Sequence, residues 1–300
     1  MSADAPIAYL ARIRSYYQAL GYGAPYDWAH FADVPFHRLP IPLARARVTL
    51  VTTAAPYQPD KGEQGPGAPY NAAAKFYQVY SGETSSDPGL RISHVAIDRA
   101  HTTAEDINSY FPLAALRRSV KRGRIGALTQ HFHGLPTNRS QRTTIDVDCA
   151  ELAARCKAEN ADAAILVANC PVCHQSVSLA ARALEENGIA SVIMGCAKDI
   201  VEHVGVPRFL FSDFPLGNGA GRPKDVDSQD LTVELALTLL ETAGTPRATV
   251  QSALKWSADA TWKRDYCNID LLSAQEIAAR RAQFEAAKDT AKAVRQGAGH

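Results

Sequence analysis

The chain has 300 residues, of which 46% are hydrophobic and 21% are charged, a balance typical of a folded globular protein and not of a disordered or fibrous one. Its 32 basic and 31 acidic side chains leave a formal net charge of +1. This near-neutral balance argues against binding to nucleic acid or to an anionic membrane, so we expect a small-molecule substrate as partner.

The sequence predicts a cytoplasmic protein. Its first residues contain no basic segment followed by an apolar stretch, and no later apolar run is long enough to cross a bilayer. In a reducing compartment the cysteines would remain mostly thiols, and their spacing suggests no disulfide framework. Cys149, Cys156 and Cys267 are interpreted as structural, so the candidate reactive or metal-binding groups are Cys170, Cys173 and Cys196.

The amino-terminal half is predicted to alternate between regular elements and long connections. Apolar residues at helical spacing predict a helix over residues 6–20. Prolines keep residues 34–44 extended. The remaining predicted elements are strands over 47–53, 92–97 and 127–133, a Pro/Gly-rich loop over 54–89, and a helix over 104–120 with Pro112 at an early break.

The carboxyl-terminal half shows a regular strand and helix rhythm. Helices are predicted over 148–160, 172–187, 198–204 and 229–241, and strands over 163–168, 190–194 and 208–211. This alternation predicts an α/β fold with a mostly parallel sheet covered by helices on both faces, doubly wound and flavodoxin-like or racemase-like. A capping box from Ser273 to Glu276 predicts a final helix that serves packing or oligomerisation.

Three regions follow from this pattern. Residues 1–45 form a helix and an extended arm, residues 46–245 form the α/β catalytic domain in one or two lobes, and residues 246–300 form a helical extension. We also expect a homo-oligomer.

The sharpest feature is the run Ile165-Leu-Val-Ala-Asn-Cys170-Pro-Val-Cys173-His174, in which a buried strand leads into a helix. Ligands of open parallel sheets lie at the carboxyl ends of strands. A thiol at a helix N-terminus is also stabilised as thiolate. Cys170 is therefore predicted to be a nucleophile and Cys173 to resolve its product, while Asn169 and His174 are candidate substrate-binding residues.

Cys196 ends the next predicted strand, and if the two strands are neighbours it faces the same crevice. Several alternatives remain open for this cluster. The three cysteines could be buried structural residues, or they could hold a metal ion through Cys170, Cys173 and Cys196. A c-type haem attachment site matches the string Cys170 to His174 but lacks a secretory signal, and a thioredoxin-like carrier would be smaller.

Several segments together resemble the selenoprotein B subunits of the glycine, sarcosine and betaine reductases and of D-proline reductase. The resemblance spans about residues 45–220. It is carried by Val48 to Thr53, Ala104 to Asn108 with Phe111-Pro112, Gly123 to Gly126, Asp162 to Cys173, and Gly205 to Asn218.

The resemblance implies a reductive cleavage chemistry. In that family a selenocysteine at the position of Cys170 attacks a carbon of an amine, and the cysteine three residues later resolves the product. Cys196 also falls on a family cysteine. Two departures stand out: selenocysteine is replaced by cysteine, and a further family cysteine is Ser176 here. The glycine and proline enzymes also use a pyruvoyl group on a separate subunit, which this chain does not supply.

Other polar residues are assigned supporting roles. His131 and His133 are candidate general bases, with side chains expected to face opposite ways so that only one enters the crevice. Glu105 and Asp106 are candidate ligands for a substrate ammonium group. Gly217 and Asn218 begin a glycine-rich turn that could bring backbone amides to an anionic group. His94, in the middle of a predicted strand, is interpreted as structural.

The sequence thus predicts a thiol-dependent reductase or lyase that cleaves a C–N or C–S bond in a small amino-acid-like molecule. No tightly bound cofactor is expected. An external dithiol, a thiol reductant protein or a second subunit would complete the reaction. A metal-binding protein is the alternative.

Overall fold

A computed structural model of the chain describes residues 5–92 and 94–297. The strands are β1 (Arg47–Thr52), β2 (Ala55–Pro56), β3 (Tyr80–Glu83), β4 (Leu90–Arg91), β5 (Ala127–Leu128), β6 (His131–Gly134), β7 (Ala163–Val167), β8 (Ala190–Gly195), β9 (Arg208–Phe211) and β10 (Ala248–Gln251). The α-helices are α1 (Tyr9–Ala19), α2 (Leu113–Lys121), α3 (Gln141–Thr143), α4 (Ala150–Ala158), α5 (Pro171–Glu186), α6 (Lys198–Val204), α7 (Val226–Thr242) and α8 (Ala274–Gly297), and a π-helix (Thr144–Cys149) joins α3 to α4.

One eight-stranded sheet organises the fold, in the order β10-β9-β8-β7-β1-β6-β3 with β5 also paired to β1. Its pairings are parallel except for β3, which runs antiparallel to β6. β7 and β8 are buried along their whole length, which explains their continuous apolar sequences, because a central parallel strand is covered on both faces. The predicted α/β fold with a mostly parallel sheet is confirmed.

Helices surround the sheet in two groups. Helix α5 packs on β7 and β8 and contacts α4 and α6, while α7 packs on β8 and β9 and contacts α2. The final helix begins at the predicted capping box, in which the Glu276 amide donates to Ser273 Oγ at 3.2 Å and the Ser273 amide donates to Glu276 Oε2 at 2.8 Å. None of the helices in the described part of the chain is long and apolar enough to span a bilayer.

The region between β1 and α2 differs most from the prediction. The loop predicted over 54–89 contains β3, which forms an edge of the main sheet, and β2, which pairs with β4. The strand predicted over 92–97 is wrong for its described residues, which form turns, and Ser93 lies outside them. The helix predicted over 104–120 begins only at Leu113, because Pro112 forms its N-cap.

Smaller differences occur elsewhere. The strand predicted over 127–133 is split into β5 and β6, and helical structure before α4 starts seven residues earlier than predicted, at Gln141. β10 was not predicted; it is paired with β9 along one edge and is partly exposed. The other predicted strands and helices form within a few residues of their predicted ends.

Candidate functional site

The turn that contains Cys170 joins β7 to α5 at the carboxyl edge of the sheet. Helix α5 begins at Pro171, where the missing N–H of proline costs no helical hydrogen bond. Cys170 is the N-cap residue, and its Sγ accepts a hydrogen bond from the Cys173 amide at 3.2 Å. The free amides and the dipole at this end of a 16-residue helix favour a thiolate. Cys170 therefore has the surroundings of a reactive thiol.

Cys170 and Cys173 form a disulfide, with their Cα atoms 4.9 Å apart. Cys170 is 5% exposed and Cys173 is fully buried. A pair of this kind interconverts between disulfide and dithiol by a two-electron exchange with an external thiol. Because so little of either sulfur reaches the surface, the residues that cover the pair must move before another molecule can contact it.

His174 ties the Cys170 turn to the turn that follows β8. Its Nδ1 donates to the Cys170 carbonyl oxygen at 2.7 Å, and its Nε2 accepts from the amides of Cys196 and Ala197 at 2.9 and 3.1 Å. Burial lowers the pKa of His174 to about 4, so the ring is neutral near pH 7. With both nitrogens engaged by the backbone, His174 positions the two turns relative to each other.

His94 reaches the cysteine pair from the segment that follows β4. A ring nitrogen of His94 and the sulfurs of Cys170 and Cys173 lie within 4.8 Å of one another. The imidazole hydrogen-bonds to the backbone of Thr53. Its Nδ1 is buried and has no hydrogen-bond partner among residues 5–92 and 94–297, so this nitrogen is available to the sulfurs. The strand from which its structural interpretation came does not form.

Two cationic side chains lie close enough to His94 to lower its pKa. Burial, followed by the charges of Lys75 and Arg99, lowers the pKa of His94 to about 3. Arg99 is anchored by two hydrogen bonds, from its Nε to the carbonyl oxygen of Ala68 at 3.1 Å and from its Nη1 to that of Val95 at 3.3 Å. Its Nη2 is buried without a partner, and within the described part of the chain neither cation has a carboxylate partner. The site therefore carries uncompensated positive charge.

Cys196 lies apart from this cluster. It ends β8 as expected, and β8 neighbours β7, but its sulfur does not join the group formed by His94, Cys170 and Cys173. It packs instead in a second apolar cluster with Tyr9, Phe214 and Trp262. Burial raises the pKa of Cys196 to about 12, which keeps its thiol protonated near neutral pH.

His131 and His133 face the same way, toward α4, and the expectation that they face opposite ways is wrong. Residues two apart in a strand share a face. His131 Nδ1 pairs with Glu159 Oε1 at 2.7 Å. His133 Nδ1 bonds to Ser81 Oγ at 2.9 Å, and Ser81 in turn accepts from Arg155. Neither histidine joins the described cysteine cluster.

Glu105 and Asp106 line a separate cavity of about 340 Å³. Glu105 forms an exposed ion pair with Lys224, and Asp106 accepts from the Lys224 amide at 2.7 Å and from Gln229 Nε2 at 2.8 Å. The lining comes from residues 64–66, 88, 90–92 and 104–107 together with Tyr110. None of the described residues that line this cavity belongs to the cysteine cluster.

Three further predicted residues lie near the carboxyl edge. Asn169 is fully buried, and both polar atoms of its amide lack partners among the described residues, an arrangement that in native proteins calls for a water or ligand. Gly217 has a φ of +108°, and a Cβ added at this position would lie 3.6 Å from Cγ2 of Thr102. Asn218 Nδ2 donates to Pro215 O at 3.1 Å. Asn169 is thus the one whose polar groups remain available.

The sequence patterns missed the contribution of the 72–99 region. Lys75 and Arg99 lie outside the predicted helices and strands, His94 lies in a predicted strand that does not form, and none of the three belongs to a recognisable motif. Composition gives no signal for them either, since Asp98 directly precedes Arg99. Only the folding of this region onto the sheet edge brings these side chains to the cysteines.

The fold and the site together define an α/β protein with a disulfide-bonded cysteine pair at a strand-to-helix turn. The chain is 31% identical over 162 residues to the D-proline reductase subunit gamma of Acetoanaerobium sticklandii, a match that covers 53% of this chain and 66% of that subunit, just under two thirds. This similarity supports a relationship to the glycine and D-proline reductase family. No protein-family model matches it, and no solved structure matches it.

Proposed function

We propose that this chain is a thiol-dependent reductase that cleaves a C–N or C–S bond of a small amino-acid-like molecule. The observation that carries the proposal is the Cys170–Cys173 pair, with Cys170 as N-cap of a long helix and the two sulfurs close enough to form a disulfide. Similarity to a protein named as a D-proline reductase subunit supports the same reaction class. Cysteine would then act where the related selenoproteins use selenocysteine.

The reaction needs two thiols and one external reductant. The Cys170 thiolate attacks the carbon that carries the nitrogen, a C–S bond forms, and the C–N bond breaks as the amine leaves with a proton. Cys173 thiolate then attacks the Cys170 sulfur, so that a disulfide forms and the released carbon takes a proton. The substrate gains two electrons, the cysteine pair loses two, and an external dithiol restores the pair.

The other cysteines have surroundings that suit them less well to attack. Burial raises the pKa of Cys149, Cys156 and Cys196 to about 12 and that of Cys267 to about 11. A thiol with such a pKa is almost entirely protonated near neutral pH, and the thiolate is the nucleophilic form. This contrast supports assigning the attack to Cys170.

The charge around His94 supports an anionic group in the substrate. Lys75 and Arg99 both act on His94 and lack carboxylate partners in the described ranges, and the buried Nη2 of Arg99 has a donor to spare. A substrate carboxylate would offset both cations and accept that hydrogen bond. Lys75→Met is therefore expected to raise KM more than it lowers kcat.

The proposal includes a cytoplasmic location, a small-molecule substrate and no tightly bound cofactor in this chain. The related protein is named as one subunit of D-proline reductase, so we also propose that this chain acts with a second subunit or with a thiol reductant protein. Activity on an unactivated amine by the chain alone would make such a partner unnecessary.

The test combines thiol chemistry with a substrate screen that begins with D-proline and includes glycine. The full chain is reduced, its thiols are alkylated at graded pH, and the modified residues are mapped by mass spectrometry. We expect Cys170 to be alkylated well below the pH of about 8.5 at which an ordinary thiol ionises. Incubation of Cys173→Ser with substrate should then leave one covalent adduct on Cys170 and no turnover.

Cys196→Ser is the matched control, since it removes a buried cysteine at the neighbouring strand end. It should keep the alkylation profile of Cys170 and any turnover. The proposal fails if the substrates leave no adduct on Cys173→Ser while that variant retains the activity of the unmodified chain.

A further inference from the structure

We propose that His94, Cys170 and Cys173, once the disulfide is reduced, bind a single thiophilic metal ion of the Zn²⁺ class. The inference concerns a binding site and does not depend on the proposed reductase activity. It also differs from the metal site expected from the sequence, because His94 takes the place of Cys196.

The geometry brings the three ligand atoms together. A nitrogen of His94 and both sulfurs lie within 4.8 Å of one another, and all three residues are buried. Zn²⁺ binds thiolate at about 2.3 Å and imidazole at about 2.0–2.1 Å, so ligand atoms around one ion are separated by less than 4.8 Å. Small side-chain rotations after the S–S bond is broken would therefore be sufficient.

The state of His94 suits a ligand. Its hydrogen bond to the Thr53 backbone holds the ring in place, the arrangement by which proteins commonly orient a metal-bound imidazole. Its Nδ1 is buried and unpartnered among the residues the structure describes. Because an unused buried nitrogen is costly, a bound ion would satisfy a group that nothing else in the described protein satisfies.

Charge selects the kind of ion. Two thiolates neutralise the charge of a divalent cation. With fewer anionic ligands the bound ion would keep a net positive charge, which the nearby cations Lys75 and Arg99 would repel. Binding exchanges protons and not electrons: each sulfur that is still a thiol loses its proton as its metal–sulfur bond forms, and the metal keeps its oxidation state. The disulfide form cannot bind in this way, so the redox state of the pair controls occupancy.

The experiment uses the full chain, reduced anaerobically with a phosphine, desalted and titrated with Zn²⁺ or with Co²⁺ as a spectroscopic substitute. We expect one metal per chain by native mass spectrometry, a thiolate-to-Co²⁺ charge-transfer band, and a release of protons that decreases as the pH is raised. His94→Asn and Cys173→Ser should each weaken binding at least as much as the roughly 10–100-fold attributed to residues that merely support ligands.

Two controls separate this site from the other thiols. The oxidised chain should bind no metal, and Cys196→Ser should bind as tightly as the unmodified chain. The comparison of oxidised and reduced protein requires no substitution, so it stands even where a variant folds poorly. The inference is overturned if the reduced chain binds no metal, if binding survives both His94→Asn and Cys173→Ser unchanged, or if Cys196→Ser abolishes it.

Discussion

Acidification should destabilise the fold through His174. Burial lowers the pKa of this side chain from 6.5 to about 4. Between these values the unfolded chain binds a proton that the folded chain does not, so the free energy of unfolding decreases as the pH falls through this window. Above about pH 6.5 the ring is neutral in both states and its contribution is constant.

The magnitude follows from the two pKa values. At about 1.36 kcal/mol per pKa unit, a decrease from 6.5 to about 4 corresponds to at most about 3.4 kcal/mol for His174. Burial also lowers the pKa of His94 to about 3 and that of His133 to about 4. These two groups act in the same direction, so the unmodified chain should lose stability steeply below about pH 6.

The assay is urea unfolding of the unmodified chain and of His174→Gln at several pH values between about 4.5 and 6. Because the variant takes up one proton fewer on unfolding, its slope of unfolding free energy against pH should be smaller by up to about 1.4 kcal/mol per pH unit. Gly244→Ala, which changes no titratable group and adds a Cβ with nothing within 4 Å among the described residues, is the control, with an unchanged slope. An unchanged slope in His174→Gln would refute the assignment of a buried neutral ring that accepts two backbone amides.

Two further substitutions test the packing behind the site. In Gly195→Ala the added Cβ would lie 2.5 Å from Nε2 of His174, so the ring must move; we expect a loss of about 1–3 kcal/mol in urea unfolding. In Arg208→Met the buried carboxylate of Glu185, paired with Arg208 at 2.8 Å, loses its cation, and the cost should be about 3–5 kcal/mol by the same measurement.

Matched controls exist for both substitutions. Gly244→Ala introduces a Cβ with nothing within 4 Å among the described residues, so its stability should change little. Lys224→Met removes a cation from the exposed pair with Glu105 and should also leave the free energy of unfolding nearly unchanged. If either test substitution behaves like its control, the corresponding packing argument is wrong.

Local sequence patterns predicted most of the second half of the fold. Buried apolar runs predicted β7 and β8, and the capping box predicted the start of α8. They succeed because a central parallel strand must be apolar throughout and the first turn of a helix must satisfy its own amides. Both requirements are met by a few consecutive residues, so a local pattern can show them. The same logic placed Cys170 at a helix N-terminus.

The 54–104 region was predicted poorly because its structure depends on distant partners. β3 is a strand since its backbone pairs with β6, some fifty residues away, and not because of its own composition. The turns at 94–97 pack against the loop after β9, where the Asp98 amide donates to Leu216 O at 3.1 Å. Propensity is a weak guide where such long-range contacts decide the conformation.

The sequence by itself determined the α/β class, the Cys170–Cys173 spacing at a strand-to-helix turn and the family resemblance, because each is carried by neighbouring residues. Only the tertiary structure decided which other groups reach that pair. It brings in His94 and the charges of Lys75 and Arg99, and it leaves Cys196 in a separate apolar cluster. The physical reason is that side-chain proximity across a sheet edge is set by the packing of loops from different parts of the chain, which no local pattern encodes.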